Sequence, residues 1–160
     1  MNINIKRLQT EWNQIRKDKN YFYSICPSSE NFFHWDFILI GPPKTIFEGG
    51  MFKGTLVFPK EYPNRPPVLS FITEMFHPNI YKDGKVCISI LHEGVDVYGY
   101  ESVMGRWTPT QSINSIMMSV LSMLPEPNLE SPANLDAAIL CQKNYEEYKK
   151  KIYKIVSKSQ

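Results

Sequence analysis

Two changes of hydrophobic period along the 160 residues predict an α+β fold. Apolar residues recur at helical spacing in the first stretch, give way to aromatic and β-branched segments between Tyr21 and Phe71, and return to helical spacing from Ile113. Glycine and proline turns separate most of the middle segments, so consecutive strands with short connections form an antiparallel meander. A chain of this length fits one domain, spanning 1–160, that buries about two-thirds of its unfolded surface.

The elements follow in order. Ile5, Leu8, Trp12 and Ile15 make the apolar stripe of a first helix, with Lys6, Arg7, Glu11 and Arg16 off that stripe. Four strands are expected at Tyr21–Ile25, His34–Ile40, Met51–Phe58 and Val68–Phe71, with turns at Gly41-Pro42-Pro43 and Gly49-Gly50. Pro59, Pro63, Pro66 and Pro67 then impose extended backbone, because each lacks an N–H and restricts the residue before it. The stretch from His92 to Arg106, with Gly94, Gly99 and Gly105, has no helical or strand period, and loops this long in compact domains generally serve function. Thr108-Pro109-Thr110-Gln111 fits a capping box with proline at the first helical position. Ile113, Ile116, Met117, Val120, Leu121 and Leu124 supply the stripe of that second helix, and Pro125 and Pro127 end it. Ser131-Pro132 reads as the cap of a third helix over Ala133–Cys141, and Tyr145, Tyr148, Ile152 and Ile155 mark a fourth.

Composition narrows the functional class. Hydrophobic residues are 42% and charged residues 21%, ordinary for a globular protein, and the formal net charge of +2 is too small for a nucleic-acid binder. The longest apolar runs, Phe37–Ile40 and Ile88–Leu91, fall far short of the roughly 20 residues that span a bilayer. The N-terminal residues lack the pattern of a signal peptide, so the expected location is cytoplasmic or nuclear. Cys26, Cys87 and Cys141 are odd in number and widely spaced, with no Cys-x-x-Cys, which argues for free thiols and against a disulfide framework or a zinc site. No metal and no cofactor are expected.

Chemistry concentrates around Cys87. A cysteine between Val86 and Ile88 is more often a small buried hydrophobe than a nucleophile. A thiol protease would need a histidine base held by a third group, and neither His77 nor His92 stands in a protease signature. Asn79, after His77-Pro78, reads either as a residue closing a turn through its side chain or as an amide that donates to an oxyanion. Glu93, Asp96 and Glu101 make the following loop acidic, against a single Arg106.

The run Met75-Phe76-His77-Pro78-Asn79-Ile80, with Gly84 and Cys87-Ile88, resembles the active-site signature of the ubiquitin-conjugating enzymes. Phe58-Pro59-x-x-Tyr62-Pro63-x-x-Pro66-Pro67, Trp107-x-Pro109 and Glu126-Pro127-Asn128-x-x-Ser131-Pro132-x-Asn134 resemble further landmarks of that family, in the family's order. The likeness covers roughly residues 5 to 158. It implies the ubiquitin-conjugating fold over 1–160: an N-terminal helix, a four-stranded antiparallel meander and three C-terminal helices. It also implies an acyltransferase in which Cys87 accepts the ubiquitin C-terminus as a thioester from a ubiquitin-activating enzyme and a lysine amine then attacks. ATP is used by the activating enzyme and not by this chain. Asn79 would stabilise the oxyanion or hold the loop that does, and His77 would fix the turn that aims Asn79.

Many members carry an aspartate at the position matched here by Ser131, and its absence leaves open how the acceptor lysine, with its ordinary pKa near 10.4, is activated. The insertion after Cys87 resembles that of a subclass that builds the chains read by the proteasome. Met75–Tyr81 and Gly99-Tyr100-Glu101-Ser102 most resemble the member that serves degradation at the endoplasmic reticulum, where recruitment to the cytosolic face is expected. Asp96, helped by Glu93, is the expected attractor of the acceptor lysine.

RING-type ubiquitin ligases would dock, by the same likeness, on Lys6 and Arg7, on the loop from Tyr62 to Arg65 that includes Asn64, and on Thr108-Pro109. Donor ubiquitin would rest on the second helix near Met118 and Ser122, although Met118 reads equally as core. The lysines of the last helix read as a solvated face more than as a membrane contact. Two alternatives stand beside this reading: a non-catalytic ubiquitin-binding variant, and a carrier of another ubiquitin-like modifier.

Overall fold

Strict alternation of buried and exposed positions aims one face of a four-stranded sheet at the core. The computed structural model describes residues 3–94 and 105–160. Helix α1 (Ile3–Lys17) precedes strands β1 (Tyr23–Pro27), β2 (His34–Ile40), β3 (Met51–Val57) and β4 (Val68–Phe71), which pair antiparallel in the order β1-β2-β3-β4. Trp35, Phe37 and Leu39 point inward from β2, Phe52 and Leu56 from β3, and Leu69 and Phe71 from β4. Gly54 is small because the Phe37 ring lies across it: a Cβ there would sit 2.3 Å from the ring.

A single 3₁₀ turn (Ser89–Leu91) follows, then α2 (Ile113–Met123), α3 (Leu135–Lys143) and α4 (Tyr145–Ser159). Helix α2 contributes Ile113, Ile116, Met117, Val120 and Leu121 to the same buried cluster as the inner sheet face, and each such side chain contributes about 1.5–3 kcal/mol on burial. Side chains from other elements close both of its ends. At the start, the buried Glu11 accepts from the Ile113 N–H (2.8 Å) and from the Tyr62 hydroxyl. At the finish, the His77 Nε2–H meets the carbonyls of Met123 (3.0 Å) and Leu124 (3.1 Å), which lack partners within the helix. A carboxylate at the N-terminus also matches the sign of the helix dipole.

Three elements start later than expected. Strand β1 lies two residues later than its expected start, because Asn20 Oδ1 accepts from the N–H groups of Phe22 and Tyr23 and turns the chain there. Helix α2 does not start at Thr108-Pro109. Arg7 takes the carbonyls of Pro109 (2.9 Å) and Gln111 (2.7 Å), and the cap is Ser112, in a reciprocal box with Ser115. Helix α3 is capped by Asn134, since the Pro78 carbonyl accepts from the N–H groups of Ala133 (2.8 Å) and Asn134 (3.0 Å) and holds both outside the helix. Among the described residues, no helix is long and apolar enough to cross a membrane.

Candidate active site

Three consecutive residues, His77-Pro78-Asn79, each tie down a different part of the chain. His77 is fully buried, and its two nitrogens are fixed in role: Nδ1 accepts from the Asn79 N–H (3.0 Å) while Nε2–H donates to the end of α2. The imidazole is therefore neutral, and burial lowers its pKa to about 4 against the two carbonyls that favour a proton. Pro78 holds the start of α3. Asn79, 4% exposed, donates from Nδ2 to the Asn128 carbonyl and accepts from the Asn128 N–H at Oδ1, both at 2.8 Å. Both ends of the Asn79 amide thus hold the segment after α2, the contact that the loop-holding role calls for. His77, expected to fix the turn that aims Asn79, is tied to it by the Asn79 N–H on its Nδ1.

From Asn79 the chain turns and comes back. The Tyr81 N–H donates to the Lys85 carbonyl (2.8 Å), Ile80 bridges Val86, and the Cys87 N–H donates to the Asn79 carbonyl (2.9 Å). Gly84 sits at φ +100 in this turn, where a Cβ would lie 2.1 Å from the Phe71 carbonyl oxygen. Cys87 is therefore not a strand thiol packed in the core: it is half-buried at the end of this hairpin.

Two grooves meet at its sulfur. The larger, about 690 Å³, runs along α2 past Ser119 and Ser122 to Asn128 and Ser131. The smaller, about 270 Å³, lies between Tyr81 and Lys85 on one wall and Arg65 and Glu93 on the other. The Tyr81 hydroxyl is raised above the ordinary phenol range, first by the Cys87 charge and then by a hydrogen bond to that side chain, with burial and Asp83 adding to it. His92 approaches the same sulfur, with Nε2 3.4 Å from Sγ. Among the described residues, no cluster of three His, Cys, Asp or Glu side chains is arranged to hold a metal ion.

A family model for ubiquitin-conjugating enzymes matches residues 7–156. The chain belongs to that family. It is 52% identical over 129 residues to the Caenorhabditis elegans protein named "Probable ubiquitin-conjugating enzyme E2 7", covering 80% of this chain and 79% of the relative. Ubiquitin-conjugating enzyme E2 7 of Arabidopsis thaliana is 51% identical over 132 residues, 82% of this chain and 80% of its own. Ubiquitin-conjugating enzyme E2 G2 of Homo sapiens is 48% identical over 157 residues, 97% of this chain and 95% of its own. This chain is thus a ubiquitin-conjugating enzyme, an acyltransferase whose family works through a thioester with ubiquitin, activating enzymes and ligases as partners. The helix, four-stranded antiparallel sheet and further helices agree with the ubiquitin-conjugating fold.

Within this ubiquitin-conjugating enzyme the other expected residues fall unevenly. Ser131 is exposed and lines the larger groove with Cys87. Asp96, with Glu101 and the Gly99–Ser102 run, lies outside the described residues. Glu93 is not a free helper for Asp96: Arg65 Nε and Nη2 donate to its two oxygens at 3.0 and 3.2 Å and hold its pKa below the usual carboxylate range. Arg106 donates to the carbonyls of Glu93 (2.8 Å) and Gly94 (2.9 Å), and the Trp107 N–H donates to the His92 carbonyl (3.0 Å), so the two ends of the loop are joined.

Of the expected docking residues, Lys6, Asn64 and Pro109 are exposed and Thr108 is half-buried. Tyr62 is a correction: it is fully buried, its hydroxyl spent on Glu11, because the loop's prolines turn the ring inward against Phe58 and Trp107. Arg7 spends its guanidinium on Glu11, Pro109 and Gln111. Met118 is 40% exposed, which removes the core reading, and Ser122 is exposed beside the larger groove. Tyr81 is a site residue that sequence reasoning passed over, and His92 one that it considered as a base and discounted. His92 lies five residues after Cys87, and the 3₁₀ turn Ser89–Leu91 between them returns its ring to the sulfur.

Proposed function

We propose that Cys87 carries ubiquitin as a thioester and passes it to a lysine amine with a RING-type ligase, building chains that mark proteins for degradation. What supports this is the half-buried Cys87 at the meeting point of two grooves, with Asn79 holding the segment that lines the larger one. The larger groove takes the ubiquitin tail, and Met118 and Ser122 flank its donor. The acceptor lysine enters by the smaller groove, and its attraction is the role we assign to Asp96 from the acidic sequence of the following loop. Degradation at the endoplasmic reticulum, with ligases recruited through Lys6, Asn64, Thr108 and Pro109, is the setting we infer from the loop sequence. No cofactor takes part.

Incubation with activating enzyme, ATP and ubiquitin followed by a non-reducing gel tests the reading. A thiol-sensitive adduct that Cys87→Ala abolishes is expected, and its absence with active components refutes it. A chain that charges only with another ubiquitin-like modifier changes the cargo. Discharge of Asp96→Asn to free ubiquitin at the wild-type rate removes the loop from the mechanism.

A further inference from the structure

We propose that His92 carries the proton from the acceptor amine to the departing sulfur of Cys87. This rests on Cys87 being the carrier. Two independent observations place the imidazole there. Its Nε2 lies 3.4 Å from Cys87 Sγ, within hydrogen-bonding reach for sulfur. Cys87 and His92 are also the two residues that line both grooves, so the ring stands where a nucleophile arriving through one would meet an acyl group lying in the other.

The fold holds the ring in that place. The His92 N–H donates to the Ser89 carbonyl (2.9 Å), and its carbonyl accepts from the Trp107 N–H (3.0 Å), so the backbone is pinned on both sides. The 3₁₀ turn Ser89–Leu91 fixes the five-residue return to Cys87. His77 cannot serve, since both of its nitrogens are committed inside the core. Glu93 is engaged by Arg65, and Ser131 on the larger groove offers a hydroxyl and no carboxylate. Among the described residues, the titratable and charged groups that line the two grooves or the loop's neck are Tyr81, Lys85, Arg65, Glu93, Arg106 and Glu126.

The step balances without a co-reactant. The amine lone pair forms the C–N bond at the thioester carbonyl, and the proton that the nitrogen then sheds passes to Nε2. The C–S electron pair leaves on Sγ as the tetrahedral intermediate collapses. Nε2–H returns the proton to that sulfur, giving an amide, a thiol and a neutral imidazole ready for the next cycle. Exchange between Nε2 and Sγ needs no rearrangement, because the two atoms are already in contact.

Discharge of pre-charged protein to free lysine, after ATP is removed, reads this directly between pH 6 and 9. Positioned proton transfer contributes about 10²–10⁴-fold, so His92→Gln is expected to slow discharge at pH 7 by about 100-fold and to change the shape of the pH profile. Added imidazole should partly restore His92→Ala, which a purely structural role would not allow. Discharge of His92→Gln within about twofold of wild type, with the wild-type profile, overturns the proposal. Where the variants do not charge, alkylation of uncharged Cys87 by iodoacetamide, followed at the peptide level to separate Cys26 and Cys141, decides instead. A severalfold change at pH 7 supports the contact, and an unchanged rate refutes it. Failure of Cys87→Ala to abolish charging would strike at the carrier role, a result distinct from either.

Discussion

Replacing Asn79 by alanine removes two hydrogen bonds at once and leaves the Asn128 N–H and carbonyl without their partners. Each bond contributes about 1 kcal/mol net, and Asn128 is exposed enough for water to replace part of what is lost, so the expected destabilisation is about 2 kcal/mol. For a chain of this size that lowers the Tm by about 4–8 °C. The segment released is the one that carries Ser131 along the larger groove, so discharge to lysine should slow by more than tenfold while charging on Cys87 persists. A side chain acting only as an oxyanion donor would lose about 10²–10³ in rate with no change in stability. Thermal melting and single-turnover discharge, measured on the same preparation, separate the two. A Tm within about 1 °C of wild type refutes the loop-holding role, and an unchanged discharge rate removes Asn79 from the mechanism.

The buried His77 makes stability depend on acid. Its folded pKa of about 4 lies below the ordinary value near 6.5, so the unfolded chain binds the extra proton between them. Its contribution is complete above about pH 6.5 and is lost as pH falls toward 4. Linkage gives about 2 kcal/mol lost at pH 5, a Tm drop of about 4–8 °C from pH 7, and a flat profile over that range would contradict the buried neutral ring. Gly84→Ala should be strongly destabilising, because its φ of +100 and the Phe71 carbonyl 2.1 Å from the new Cβ leave no relaxed position. Urea denaturation should place the loss above about 2 kcal/mol, and a shift under 0.5 kcal/mol would mean that the Asn79–Cys87 hairpin tolerates a different path.

The sheet and the apolar faces of the helices were legible in the sequence because burial imposes a period, and Trp35, Phe37 and Leu39 alternate as a half-buried strand must. Helix starts were less legible. Thr108 and Ser112 both carry cap chemistry, and the choice between them is made by Arg7, about a hundred residues away, which takes the Pro109 and Gln111 carbonyls. Tyr62 was misread for a similar reason. Its place in a proline-rich loop gave no indication that its hydroxyl would find Glu11 on α1. At the site, Cys87 and Asn79 stood out only through the ordered motifs around them. His92 was visible but discounted, because its distance from Cys87 depends on a single 3₁₀ turn that no periodicity announces.

These ties leave the supply of a neutral lysine amine as the step with least support on the larger-groove side. Both polar atoms of the Asn79 amide already hold Asn128, His77 is sealed in the core, and Ser131 offers a hydroxyl and no carboxylate. Since Ser131 is exposed and lines the groove that reaches Cys87, Ser131→Asp puts a charge beside the reaction at little structural cost. A carboxylate a few ångström from the amine attracts its ammonium form by about 1 kcal/mol at a wet surface, about a fivefold effect on occupancy, and can also accept the proton that the amine must shed. Discharge to free lysine at pH 7 should therefore rise about fivefold, and the gain should shrink in high salt as the pair is screened. The same substitution should weaken dependence on Asp96, because one acid then performs the attraction assigned to the other. A Ser131→Asp variant that charges fully but discharges no faster would show that the amine does not pass this residue. The amine, entering by the smaller groove between Tyr81 and His92, would then reach the thioester without coming near Ser131.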